Sequence, residues 1–407
     1  MKLPKNRWFW IVSIGMFCAF CGWMEHLEKQ DDNREYSPAP RPSNSAESKL
    51  AIAAREPKPG EPLIRFPGPF LRVGDGPVGT SKGENLIPTD LLGDPFVMRD
   101  GDRFRMWFTA GAVFGDGRFT LGTCHSESPD GLTWTSATDD SGKEPRYLLS
   151  PNRSGWDAIG VETVSVLHTP SGKYHLYYVG DRPPEGSTTF AIGLATSEDG
   201  IKWKKHGSGP VLAEKYEWEK PSARDPSKPE VLSVGGVLEP SVIYDEEEKL
   251  FKMWYVGLGM WTTGKFPTFR MGYATSKDGI EWEREAEPVL DKGPEGAWDE
   301  LWVSHVHVIA DPHHGYHCFY FGSWEYNEGV DQQRGAIGHA YSEDGVHWER
   351  NPNNPILEPR NGQWDAWSVQ GPAVLIHNNE IWLWYFGSKK RNASLRAHIG
   401  VAKFRLP

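Results

Sequence analysis

The sequence repeats itself, and the repeat constrains the fold more than any other feature. "SEDGIKWKKHGSGPVL" (Ser197–Leu212), "SKDGIEWEREAEPVL" (Ser276–Leu290) and "SEDGVHWERNPNNPIL" (Ser342–Leu357) are near copies, and "SPDGLTW" (Ser128–Trp134) is a looser one. Each copy turns at Asp-Gly, a hairpin signal because Gly accepts positive φ and Asp can hydrogen-bond its own backbone. A Trp follows, and three copies then carry a Pro-containing edge-strand candidate. Between the copies run a leading apolar strand, a turn and a second aromatic-rich strand, as in "WDAIGVETVSVLHTPSGKYHLYYVG" from Trp156. Units start near Leu91, Trp156, Val237, Trp298 and Trp364. Four antiparallel strands repeated five times predict an all-β, five-bladed β-propeller.

The fifth unit ends at "IGVAKFRLP" without its Asp-Gly turn or edge strand. "GPFL" (Gly68–Leu71) resembles the "GPVL", "EPVL" and "NPIL" of the copies. Residues near Leu63–Val73 are therefore expected to supply the missing outer strand and close the ring, leaving no exposed edges. The propeller domain is placed at 62–407.

The N-terminus reads differently. Lys2, Lys5 and Arg7 precede the apolar run Trp8–Met24, so residues 1–24 read as a signal peptide or membrane anchor. The polar, Pro- and Ser-rich stretch 25–61 reads as a disordered linker, too poor in apolar surface to offset its ordering entropy. The domain is then exported: periplasmic, extracellular or membrane-anchored. Cys124 and Cys318 form no disulfide framework. The net charge of −11 argues against a nucleic-acid partner.

In a propeller the first strand of each blade lines the channel. Aligned at their apolar ends, these strands bring Asp94, Thr163, Glu239, His305 and Gly371 into register, preceded by Gly93, Glu162, Leu238, Ser304 and Gln370. Asp94, Glu162 and Glu239 thus converge from three consecutive blades. Packing gives no reason for carboxylates there, which marks a candidate pocket. Asp157, Asp299 and Asp365, and the turn residues Asp130, Asp199, Asp278 and Asp344, recur with the repeat and read as structural.

At these residues the chain resembles the five-bladed glycoside hydrolases of families 43 and 32. "GDPFV" around Asp94 is similar to the motif of their base or nucleophile, "LEPSV" around Glu239 stands where they carry the acid, and Glu162 where they carry a pKa-modulating Asp. The resemblance implies cleavage of an oligo- or polysaccharide by carboxylate acid/base chemistry, with Asp94 as base or nucleophile, Glu239 as acid and Glu162 as modulator. His305 is expected to hydrogen-bond substrate. A related family that uses a histidine as acid keeps it open as proton donor. Gln370 and Arg270 are further substrate-binding candidates. Trp261, Trp302, Trp324 and Trp367 fall outside the repeat and are expected to form an aromatic rim that stacks on sugars. No cofactor or catalytic metal is implied; structural calcium occurs in some relatives. A non-catalytic carbohydrate-binding propeller, a sialidase-type propeller and a scaffold are the rival readings. The sialidase Asp-box carries one more residue between Asp and Gly than any copy here.

Overall fold

The structure is a computed structural model describing residues 58, 60–87, 91–113, 119–181, 187–220, 233–259, 268–327, 332–389 and 397–407. The expected leader (1–24) lies outside the described residues, as does the expected linker (25–61) apart from residues 58, 60 and 61. Among the described residues the chain is all β, with one 3-10 turn at Glu217–Glu219.

Two short strands come first, β1 (Leu71–Arg72) and β2 (Gly79–Thr80). The first repeat holds β3 (Leu92–Asp100), β4 (Arg103–Val113), β5 (Phe119–Ser128), β6 (Thr133–Trp134) and β7 (Tyr147–Leu149). The second holds β8 (Val161–His168), β9 (Tyr174–Asp181), β10 (Ser187–Ser197) and β11 (Lys204–Lys205). In the third are β12 (Ser233–Asp245), β13 (Leu250–Gly259), β14 (Thr268–Ser276) and β15 (Glu283–Arg284). The fourth has β16 (Trp302–Ala310), β17 (Tyr316–Asn327), β18 (Gln332–Ser342) and β19 (Trp348–Arg350), and the fifth β20 (Ser368–His377), β21 (Glu380–Ser388) and β22 (His398–Arg405). Within each repeat the three long strands pair antiparallel in chain order. Repeats two to four merge into one curled 12-stranded sheet through parallel contacts of β10 with β12 and β14 with β16. Repeats one and five form separate four-stranded sheets.

The Asp-Gly signature has a mechanical explanation. In all four copies the Ser hydroxyl donates to the Asp carboxylate at 3.0 Å, and that carboxylate accepts the backbone N–H groups two and three residues further on. Each Gly sits at a φ between +70 and +81°, which is why it is Gly. Its carbonyl then accepts from an aromatic side chain of another repeat. Trp107 Nε1 donates to Gly200 O at 3.3 Å, Tyr177 OH to Gly279 O at 2.8 Å, Trp254 Nε1 to Gly345 O at 2.7 Å and Trp384 Nε1 to Gly131 O at 2.9 Å. An indole N–H buried without a partner would cost about 1–3 kcal/mol, so these turns lock one repeat onto the next.

The Trp-Asp pairs build a second recurring device. Asp299 accepts from Tyr320 OH at 3.0 Å and from Arg350 Nε at 2.8 Å, where Arg350 ends the fourth strand of its own repeat. Asp157 takes Tyr178 OH and Lys205 Nζ in the same way. The third repeat substitutes Glu219, with Tyr255 OH at 2.7 Å and Arg284 at 3.3 Å. In the fifth repeat Asp365 takes Tyr385 OH at 2.9 Å and Arg360 Nε at 3.2 Å, and the place of the fourth-strand cation is filled by Arg72 at 2.7 Å. Arg72 lies on β1, which pairs with β22 where β11, β15 and β19 pair with their third strands. Among the described residues the fifth repeat has no fourth strand of its own to carry that cation, and the N-terminal segment brings it, beside Arg360 at 3.2 Å.

Candidate active site

The five leading strands β3, β8, β12, β16 and β20 share one irregularity. Each slips register against its neighbour, between Gly93 and Phe96, Glu162 and Ser165, Leu238 and Ser241, Ser304 and His307, and Gln370 and Ala373. At the slip the backbone turns left-handed: φ is +49° at Asp94, +41° at Thr163, +53° at Glu239, +48° at His305 and +58° at Gly371. These are the five positions that the sequence alignment places in register. A left-handed φ costs a non-glycine residue about 1–2 kcal/mol, and four of the five accept it. Such bulges re-aim side chains. Gly371 has its own reason: a Cβ there would lie 2.5 Å from the Phe386 ring.

The bulges bring three of the predicted residues together. His305 Nε2 lies 3.3 Å from Asp94 Oδ1, and His305 Nδ1 lies 3.5 Å from Glu239 Oε1. The backbone N–H of His305 also donates to Glu239 Oε2. One imidazole therefore bridges carboxylates from the first and third repeats. Phe321 and Phe386 wall it, with ring centroids 5.9 and 5.7 Å away. Burial alone would lower the His305 pKa; the Glu239 and Asp94 carboxylates outweigh it and raise it. Burial raises the pKa of Glu239, and His305 opposes that rise.

Glu162, one residue before its bulge, is 6% exposed, and its Oε2 has no hydrogen-bond partner. Its pKa is raised well above the ordinary 4.5 by burial first, then by the charges of Asp181, Asp94 and Glu239. A hydrogen bond to Asp181 adds to the rise. Glu162 thus shares the electrostatic environment of Asp94 and Glu239 and holds its proton to higher pH than an ordinary carboxyl.

Sequence reasoning passed over Asp181. It ends β9, in a slot where the other repeats carry Gly111, Leu258, Ser323 and Ser388. A carboxylate in an otherwise uncharged slot was the available signal. Phe321 and Phe386 were passed over because aromatic residues are plentiful on every second strand.

The remaining candidates separate. Gln370 is buried and donates from Nε2 to Ser368 Oγ at 2.9 Å. Trp302 does not belong to an aromatic rim: it is 2% exposed, packed edge-on against Phe269 at 5.0 Å inside the core. Its bulk fills the seam where β14 meets β16, so it cannot stack on a sugar. Trp324 and Trp367 stay half-buried. Arg270 points to Asp291, with Nε 3.0 Å from Oδ1, and is engaged there. Trp261 lies outside the described residues. His307 is buried, its ring is hydrogen-bonded to the backbone of Val374, and its pKa falls to about 4. Among the described residues no group of three or more His, Cys, Asp and Glu side chains is arranged to hold a metal.

A buried carboxyl of this kind links stability to pH. The unfolded chain releases the Glu162 proton near 4.5, whereas the folded protein keeps it to higher pH. The stabilisation is complete below the unfolded value and is lost as pH rises through the folded one. Glu162→Gln retains an N–H donor toward Asp181 and removes the titration. The thermal midpoint of the wild type should drop between pH 5 and pH 8 by several degrees more than that of the variant, measured by differential scanning calorimetry. Parallel curves would show that Glu162 does not hold its proton in the folded state.

No family model matches the chain. It is 26% identical over 301 residues to "Uncharacterized protein Rv1502" of Mycobacterium tuberculosis, covering 71% of this chain and 85% of that protein. Solved structures share the architecture. A BT0996 RGII complex superimposes with a TM-score of 0.60 at 19% identity, covering 84% of this protein and 92% of the one compared. A thermostable family-43 glycoside hydrolase gives 0.53 at 17% identity, with 77% and 88% covered. A structure from the GH130 family of mannoside phosphorylases, described as containing hydrolases that target β-1,2 mannosidic linkages in Candida mannan, gives 0.55 at 16%, with 86% and 97% covered. At these identities the likeness establishes a shared fold, that of the propeller glycoside hydrolases.

Proposed function

We propose that this chain, which has the propeller fold of these glycoside hydrolases, is itself a hydrolase of oligo- or polysaccharides. The five repeats close into a five-bladed ring, with β1 completing the fifth blade. The Trp384–Gly131 hydrogen bond and the Arg72–Asp365 pair support that closure. The basic residues and apolar run at the N-terminus support an exported or anchored enzyme.

One observation carries the reading: Asp94 and Glu239, from different repeats, meet on His305 at strained bulges, with Glu162 electrostatically coupled to both. The roles follow from what each carboxyl has free. Glu162 holds a proton and an oxygen without a partner, so it is the acid. It gives its proton to the glycosidic oxygen as that oxygen takes the electron pair of the breaking C–O bond. Both oxygens of Glu239 face His305, so Glu239 orients and charges the imidazole. Asp94 meets His305 through one oxygen and keeps the other to attack the anomeric carbon, or to deprotonate the water that does. This reading moves the proton donor from Glu239 to Glu162. Burial of Glu239 favours the alternative, in which Glu239 is the donor.

Leaving-group dependence separates the two. The screen starts from a panel of plant and algal oligosaccharides, and the active sugar is remade as aryl glycosides. With a poor leaving group, Glu162→Gln should lower kcat/KM by about 10²–10⁴-fold. With 2,4-dinitrophenolate, which departs unprotonated, the loss should shrink to within about tenfold. If Glu239→Gln shows that pattern and Glu162→Gln does not, Glu239 is the donor. If no oligosaccharide is cleaved in the absence of phosphate, the hydrolase reading falls.

A further inference from the structure

The strands of the fourth repeat carry a cation to the same end as His305. Trp302, three residues before His305, stands opposite Ser323 on β17, which stands opposite Gly335 on β18. Arg334 is the residue just before Gly335. Its guanidinium lies 5.3 Å from the ring centre of Trp367 and 6.0 Å from that of Trp324. Trp367 leads into β20, so the group spans the seam between the fourth and fifth repeats. At about 3.3 Å per residue and 4.8 Å per strand, Arg334 Cα is roughly 15 Å from that of His305, a distance that a few sugar rings would span.

Arg334 is half-buried, and its Nε is shielded from solvent without a hydrogen-bond partner. Glu325 stands opposite it across the strand pair, but a register slip between Ser323 and Glu325 sets Trp324 against the guanidinium instead. Among the described residues no carboxylate forms an ion pair with it. Elsewhere Arg72, Arg105, Arg270, Arg284, Arg350 and Arg360 each face a carboxylate within 3.3 Å. A partly desolvated guanidinium without a counter-ion, between two indoles, is incomplete as a structural element and suited to a ligand. Its planar fork matches a carboxylate, and the indole faces match the C–H face of a sugar.

We propose that Arg334, Trp324 and Trp367 form a subsite for an acidic sugar, with the guanidinium holding the uronate carboxylate and the indoles bounding the pyranose ring. The inference rests on the glycan-active reading and names its substrate class. It also fits the charge distribution. The Asp94 and Glu239 carboxylates at the reaction centre would repel an anion, so a uronate is best anchored away from them.

The test uses the folded domain with Asp94→Asn to slow turnover. Uronate-containing plant and algal oligosaccharides are compared by calorimetry with the same compounds after reduction of –COO⁻ to –CH₂OH, and with sulfated neutral oligosaccharides. Reduction should weaken binding by about 10- to 100-fold, the range for a charged hydrogen-bonded pair. Arg334→Met should remove the preference, and Arg334→Lys should keep part of it, both with unchanged thermal midpoints. Equal binding of native and reduced forms overturns the proposal, as does a preference that survives Arg334→Met or a preference for the sulfated compounds. Hydrolysis is scored separately on the protein with Asp94 intact. Uronate-selective binding without cleavage supports the subsite and overturns the hydrolase reading. Cleavage of neutral glycans that ignores Arg334→Met does the reverse.

Discussion

Asp94→Asn should lower hydrolysis by about 10³-fold or more while glycan affinity stays within about threefold of wild type. Asn keeps the size of Asp94 and an oxygen that can accept from His305 Nε2, now 3.3 Å from Asp94 Oδ1. It is also the residue that, after Gly, best tolerates the left-handed φ of +49° found there. The bulge, the imidazole and the channel wall should therefore persist. What disappears is the negative charge that attacks the anomeric carbon or takes a proton from water. The measurement is kcat/KM on the active oligosaccharide beside a binding isotherm. A variant that keeps more than about a tenth of its activity would remove Asp94 from the chemistry. A wild type that binds glycans, cleaves none and is unaffected by the change would be the carbohydrate-binding propeller instead.

Truncation at the N-terminus should divide sharply at Leu63–Val73. Removing residues 1–61 should leave the thermal midpoint within about 2 °C, because it keeps the contacts that tie the segment to the repeats from Leu63 onward. Its N–H donates to both oxygens of Asp311, at 3.0 and 2.8 Å. Beyond it, the Pro67 carbonyl accepts from Asn351, Phe70 packs in the core against Phe319 and Phe404, and the Val73 N–H donates to Val401 O. Removing residues through Val73 deletes all of these. It also strips Arg72 from Asp365, a fully buried carboxylate. Arg360 stays 3.2 Å from Asp365, so what is lost there is one buried charged hydrogen bond, about 1.5–3 kcal/mol, and losing a buried Phe costs about 3–5 more. Their sum approaches the whole stability of a typical domain. The shorter protein should therefore fail to give a cooperative melt in calorimetry. A normal melt would mean that β1 is an ornament on a sheet that holds without it.

Arg72 shows how far the repeat could be read. That the fifth unit lacks an outer strand, and that Gly68–Leu71 resembles one, is visible in the letters. That Arg72 also replaces Arg350 and Lys205 as the partner of a Trp-Asp aspartate is not, because those pairings are made in space between residues up to 293 positions apart. Trp302 and Trp367 make the same point. Trp302 opens β16 and Trp367 stands just before β20, one residue out of register with each other. Trp302 meets Phe269 in the seam between repeats and is buried, whereas Trp367 stays half-buried beside Arg334.

The chain's own letters determined the five units, their Asp-Gly turns and the alignment of Asp94, Thr163, Glu239, His305 and Gly371, because turn chemistry and strand alternation act over a few residues and repeat with them. The tertiary structure alone decided that His305 joins Asp94 to Glu239, that Asp181 sits against Glu162 and that the Arg334 guanidinium meets two indoles. Those encounters depend on how sheets curl past one another, and the direction of a side chain across that curl is written in no single repeat.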